Sequence, residues 1–192
     1  MYEAVDDPYC YPKTSMLKNR ANLRSQVELE KFEALAATKR AEEPLPAGKP
    51  SYGYYRAIHR HLFQDVYVWA GKIRTVRISK GESMFCFPEY IDKKMRDLFE
   101  DLAGENQFRD LDAETFATKA AHFMAELNAI HPFREGNGRS QNVLLIVLAD
   151  QAAHPLDFDR LHPPEMMEAM MASFGGDERP LANLILGLMR VR

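Results

Sequence analysis

The sequence predicts a mostly α-helical fold carrying one small β-hairpin. Two observations carry that prediction. Apolar residues recur at three- and four-residue spacing along most of the chain, the signature of helices that bury one face. Only the stretch between Thr75 and Phe87 has β-prone residues in two short runs around a glycine-containing turn. A chain of 192 residues suffices for one domain and is too short for two ordinary ones. At that size about 70% of the unfolded surface can be buried, so no disulfide or metal staple is required.

The elements follow in order. Ser25-Gln26-Val27-Glu28 has the form of a capping box, and Leu29, Phe32, Leu35 and Ala36 follow at helical spacing. Residues 42–50, with three prolines and a glycine, read as a loop inside the same domain. A second helix is expected over about 54–64. His59 and His61 fall on different faces of it and read as half-buried surface rather than a metal pair. Thr75, Val76 and Ile78, a turn over 79–82, and Met84, Phe85, Cys86 and Phe87 form the hairpin. One hairpin has no sheet to join, so it must lie on helices. An amphipathic helix is expected over about 91–102. The strongest helix starts after Asp112 and buries Phe116, Ala120, Phe123, Leu127 and Ile130. Pro132 disfavours helical geometry at His131 and ends it. An apolar segment at 143–148 and short helices at 164–173 and 181–190 complete the chain, with a break at Gly175-Gly176.

Composition narrows the function classes. Twenty-five Lys and Arg against 28 Asp and Glu give a net charge of −3, without the basic footprint of a dedicated nucleic-acid binder. No apolar run approaches a membrane span, and the acidic start lacks the order of a secretory signal. Cys10 and Cys86 make neither a disulfide framework nor a zinc motif, which fits reduced thiols in a cytoplasm.

The chemistry is concentrated in residues 131–139, His-Pro-Phe-Arg-Glu-Gly-Asn-Gly-Arg. A plain helix–helix linker has no need of these types together. Gly136 and Gly138 permit positive φ and close backbone approach. Inward-turned N–H groups ahead of the next helix form an anion nest at its positive end. Arg139 adds a bidentate phosphate donor and Asn137 a neutral one. Glu135 is a hard oxygen ligand suited to Mg²⁺ bridging phosphates. His131 has the pKa for a general base. Together these are the parts for phosphoryl or nucleotidyl transfer. The Walker A, dinucleotide-binding, zincin and kinase patterns are absent.

The nine residues match the Fic motif HPFx[DE]GN[GK]R at every specified position, and the chain resembles that family over roughly 8–190. The segment 125–141 resembles the family's central helix–loop–helix, and 65–76 the approach to its hairpin flap. Residues 7–20 resemble the N-terminal arm of Fic domains in conjugation-linked toxins and type IV secretion effectors. The resemblance implies a Fic fold: a helical bundle around the central motif with a β-hairpin flap. It implies one Fic domain over 1–192, with an arm and helix over 1–50 and a core over 51–192. The flap would lie at about 74–88. Such a domain can be excised from a longer protein.

The implied activity is protein adenylylation. His131 would deprotonate a Tyr, Thr or Ser hydroxyl of a target, Glu135 would hold Mg²⁺, and Gly136, Asn137, Gly138 and Arg139 would hold the phosphates of ATP. Gly138 fits the AMP-transferring subset of the family. Alternatives are another donor (UMP or phosphocholine transfer) or a non-catalytic binding module. The flap residues Ser83, Met84, Phe85, Cys86 and Phe87 would dock the target main chain to main chain. By strand alternation Met84 and Cys86 face one way, Phe85 and Phe87 the other, one pair serving the core and the other the substrate. Lys72, Arg74, Arg77 and Lys80 either steer an acidic target or the nucleotide, or form a solvated edge. The targets implied are small GTPases or topoisomerases. Location would be the bacterial cytoplasm or, by a route without a signal peptide, a host cell. The family's inhibitory [ST]xxxE[GN] pattern has only weak matches at 38–42 and 173–177, which implies inhibition in trans by a small antitoxin-type protein.

Overall fold

The computed structural model describes residues 7–81 and 83–190; the start of the acidic N-terminus, Glu82 and the side chain of Ser83 lie outside that description. Seven α-helices carry the described chain: α1 Gln26–Ala41, α2 Tyr52–Phe63, α3 Pro88–Gly104, α4 Ala113–Ile130, α5 Asn137–Gln151, α6 Pro163–Phe174 and α7 Arg179–Leu188. Between α2 and α3 lies a hairpin of β1 Ser79–Lys80 and β2 Ser83–Met84.

Helix α4 is the axis of the fold. It is apolar nearly all round, with Phe116, Ala117, Ala120, Ala121, Phe123, Met124, Leu127 and Ile130 all buried, so it must be wrapped by other elements. It packs against α3, α5, α6 and α7, while α2 bridges α1, α3 and α5. The Asp112 carboxylate accepts from the Thr115 N–H at 3.0 Å and caps α4 as the sequence predicts. Ser51 does the same for α2, accepting from the Tyr54 N–H at 3.2 Å. Ser25 occupies the N-cap of α1 without a side-chain cap bond, so the capping box places the helix start but not its bonding. Helix α3 opens earlier than the apolar pattern suggests, because Pro88, read as the end of a strand, sits in its first turn.

The hairpin is shorter than its β-prone residues predict. Its ladder consists of Ser79 opposite Met84 and Lys80 opposite Ser83. The Phe85 N–H still donates across the hairpin to the Ile78 carbonyl at 3.4 Å, but the Cys86 N–H donates instead to the Ala129 carbonyl at the end of α4, at 3.1 Å. The Arg74 guanidinium donates to the carbonyls of Val76 (2.7 Å) and Cys86 (2.6 Å), which keeps residues 75–78 and 85–87 out of a regular ladder.

Candidate active site

The loop after α4 begins at His131, which holds a left-handed conformation (φ 49°, ψ 64°) while its N–H still closes the helix on Leu127. A non-glycine residue there costs about 1–3 kcal/mol and persists only when its surroundings over-determine it. Those surroundings are present. Arg74, 1% exposed, donates through Nε to the His131 carbonyl at 2.8 Å, and its N–H donates to the Pro132 carbonyl at 2.9 Å. The Phe85 ring stacks on the imidazole with centroids 3.9 Å apart.

The geometry assigns the His131 tautomer. Nδ1 lies 3.2 Å from the Asn128 carbonyl, which can only accept, so Nδ1 carries the proton and the basic lone pair is on Nε2. Burial, reinforced by the positive charges of Arg74 and Lys80, lowers its pKa from 6.5 to about 3. The ring is therefore neutral and able to accept a proton across the physiological range.

The rest of the loop is fixed from within. Asn137 is fully buried; its Oδ1 accepts from the Phe133 N–H at 2.9 Å and its Nδ2 donates to the Phe133 carbonyl at 2.8 Å. Gly136 (φ 81°) caps α5, and a Cβ there would stand 2.5 Å from the Phe63 ring. By contrast, Gly138 faces open space. The buried ion pair of Arg134 with Asp7, at 2.6 Å, ties the loop to the N-terminal arm. Glu135 accepts from the Gly136 N–H at 2.9 Å. Burial pushes its carboxyl pKa up, opposed by that bond and reinforced by the charge of Glu33.

His59 is a correction to the sequence reading. It is completely buried, not surface. Its Nδ1 accepts from the Gly71 N–H at 2.8 Å, so Nε2 carries the proton and donates to the Glu135 carbonyl at 2.9 Å. The ring stacks on Phe133 with centroids 3.8 Å apart. Burial lowers its pKa to about 3 and keeps it neutral. Arg74 is a second correction, since it is neither a steering charge nor a solvated edge but the tie between hairpin and loop. The hairpin alternation is a third. Phe85 is buried, whereas Met84 and Phe87 are 50% and 43% exposed, with Cys86 half-buried. Phe87 lies under the Arg77 guanidinium at 4.1 Å. The register is lost past Phe85, where the Cys86 backbone leaves the facing strand for α4.

The expected site residues divide into two groups. His131, Phe85 and Gly138 line a cavity of about 500 Å³, closed on one side by Met166, Met167, Met170 and Met171 of α6. Arg139 turns toward α1 and α2 instead. Its guanidinium lies 4.6 Å from the centre of the Phe63 ring and pairs with Glu33, which also accepts from the Tyr67 hydroxyl. Sequence reasoning missed Glu33, which sits 106 positions from its partner with no local motif to mark it. Among the weak inhibitory matches, Glu42 is an exposed residue at the end of α1, and Asp177 is bonded to Arg179. Among the described residues no three His, Cys, Asp or Glu gather as a metal cluster, and no helix is long and apolar enough to cross a membrane.

The chain is similar to named proteins in both sequence and fold. A probable protein adenylyltransferase, y4lH, of Sinorhizobium fredii is 51% identical over 182 residues, covering 94% of this chain and 95% of its own. The protein adenylyltransferase VbhT of Bartonella schoenbuchensis is 38% identical over 96% of this chain, which spans 39% of VbhT. The solved structure of the effector BepC of Bartonella tribocorum with bound AMPPNP superposes with a TM-score of 0.86 at 27% identity, covering 96% of this chain and 97% of that one. Residues 50–149, from α2 through nearly all of α5, match the Fic/DOC family. With the motif and the fold both accounted for, the chain belongs to the Fic/DOC family.

Proposed function

We propose that this protein is a protein adenylyltransferase. The observation that carries the reading is the tautomer of His131, whose Nδ1–H is held by the Asn128 carbonyl so that Nε2 is the proton acceptor beside the cavity. A target Tyr, Thr or Ser hydroxyl gives its proton to Nε2 while its oxygen attacks the α-phosphorus of ATP. The bond from the α-phosphorus to the bridging oxygen breaks, pyrophosphate leaves, and AMP remains on the target. The N-terminal N–H groups of α5 face the developing phosphate charge, and Arg139 holds the leaving end by exchanging Glu33 for phosphate oxygens. The buried Glu135, whose carboxyl is pushed toward its neutral form without a cation, fits a single hard-oxygen ligand for Mg²⁺; the ion would complete its shell with phosphates and water and neutralise phosphate charge.

The adenylyltransferases similar in sequence and the nucleotide-bound effector structure support ATP as donor over UTP or CDP-choline. They also support a role as toxin or translocated effector, with a target docked at the flap. There the exposed Met84 and Phe87 offer apolar contacts beside β2. Neither weak in-chain match to the inhibitory pattern meets Arg139, but Glu33 of α1 does, so an inhibitor acting in trans would have to take the place of that carboxylate. The whole chain works as one Fic domain. The test is mass spectrometry of bacterial lysate incubated with the protein and an equal mixture of light and isotopically heavy ATP. Paired AMP adducts on a Tyr, Thr or Ser are expected, and paired UMP or phosphocholine adducts from matching donors in place of AMP would contradict the reading.

A further inference from the structure

The cavity beside His131 has two unlike walls. One is apolar: Leu161, Met166, Met170 and Phe174. The other is the face of α5 bearing Gly138, Gln141 and Asn142. Lys80 and His131 are its titratable lining residues, whereas Glu135 and Arg139 do not line it. The wider apolar part of the cavity therefore suits the uncharged end of a donor. Thioethers pack well against flat aromatic rings.

Gln141 stands out in this wall. It is 2% exposed, yet its amide nitrogen is buried with no hydrogen-bond partner. A buried unsatisfied donor costs about 1–3 kcal/mol, and the residue that carries it lines the cavity. We propose that Gln141 is a specificity-determining residue that reads the base of the nucleotide donor through a hydrogen bond from its amide. An amide offers a donor and an acceptor together, the complement of the N7 and N6–H₂ edge of adenine. The α6 methionines supply the contact area, and Gln141 supplies the discrimination. This inference rests on the adenylyltransferase reading and names the residue that selects its donor.

The test uses the whole chain with Gln141→Leu and, as a second variant of similar length, Gln141→Met. Calorimetry in Mg²⁺ buffer measures binding of ATP, UTP and inorganic tripolyphosphate. ATP affinity is expected to fall about tenfold, the worth of one hydrogen bond at the upper end of its range, and the ATP-to-UTP preference to shrink in proportion. Tripolyphosphate binding stays within about twofold, and the melting temperature does not fall, because the substitution removes a donor that nothing satisfies. The proposal is overturned if ATP affinity is unchanged, if ATP and tripolyphosphate weaken together, or if both variants unfold, which would make the amide structural. A wild-type protein that binds neither nucleotide would overturn the adenylyltransferase reading as well. ATP binding that ignores Gln141 would overturn only the present inference.

Discussion

The motif loop and the hairpin flap sit side by side and are held in opposite ways. Every turn of the loop is fixed by a buried bond: Arg74 on the His131 carbonyl, Asn137 on both polar atoms of the Phe133 backbone, His59 on the Glu135 carbonyl, and Asp7 on Arg134. The flap has a ladder of two residue pairs, and two of its large apolar side chains, Met84 and Phe87, face outward. The difference suits the two tasks proposed for them. A base must be held within a fraction of an ångström of its working position, whereas a surface that pairs with an incoming strand needs backbone not already committed to its own sheet. Arg74 and Phe85 join the two regions, so the flap is anchored at its base and open at its tip.

Substitutions that strike the loop should do the most. His131→Ala is expected to lower AMP transfer at least 10³-fold, within the range for losing a general base, while ATP affinity measured by calorimetry changes less than about threefold. Gly136→Ala is expected to lower stability by about 2–4 kcal/mol by chemical denaturation. It forces a Cβ onto the Phe63 ring at positive φ and so combines backbone strain with overpacking. Asn137→Ala leaves the buried Phe133 N–H and carbonyl without partners, a loss of about 1–3 kcal/mol for each. A smaller change is expected from Glu33→Gln, which keeps an acceptor for Tyr67 but removes the carboxylate charge from Arg139. ATP should bind a few-fold tighter, the scale of a half-exposed ion pair. The smallest effect on the fold belongs to the flap tip. Met84→Ala should change stability by less than about 0.5 kcal/mol, as exposed positions do, and raise the KM for the protein target while leaving ATP binding alone.

The two buried histidines give the comparison a pH signature. His59 and His131 are held neutral in the fold, with pKa values lowered from 6.5 to about 3. Between those values the unfolded chain binds more protons than the folded one, so stability rises with pH across that window and is lost as pH falls through it. Denaturant midpoints measured from about pH 4 to 7 should climb accordingly. Activity should show no acid limb at the ordinary histidine value. A limb centred there would place His131 in a wetter setting than this one.

The helices and the motif were legible in the sequence because both are local. Apolar periodicity located α4, and Asp112 capped it as its position predicts. The nine residues of the motif sit together in sequence and again in space. What the sequence hid depends on distant pairs. Nothing near His59 marks it as the support of a carbonyl 76 positions away. Arg74 looks like any charge on a strand until its guanidinium is seen among the carbonyls of Val76, Cys86, Ile130 and His131. The hairpin alternation misled for the same reason: past Phe85, the Cys86 backbone answers to α4 and Arg74 rather than to the facing strand. Glu33 carries no signal of its own, since one more glutamate on an acidic helix face is unremarkable until it meets Arg139.

The role proposed for His131, neutral and with Nε2 as its basic atom, is to drive transfer of AMP to a hydroxyl. The most direct measurement is incorporation of label from α-³²P-ATP into protein in lysate, comparing the wild-type chain with His131→Ala at matched concentration. A strong signal is expected with the wild type, resistant to hydroxylamine as a phosphodiester to a hydroxyl should be, and none above background with the variant. Equal labelling by both proteins, or labelling from γ-³²P-ATP in place of α-³²P-ATP, would contradict it.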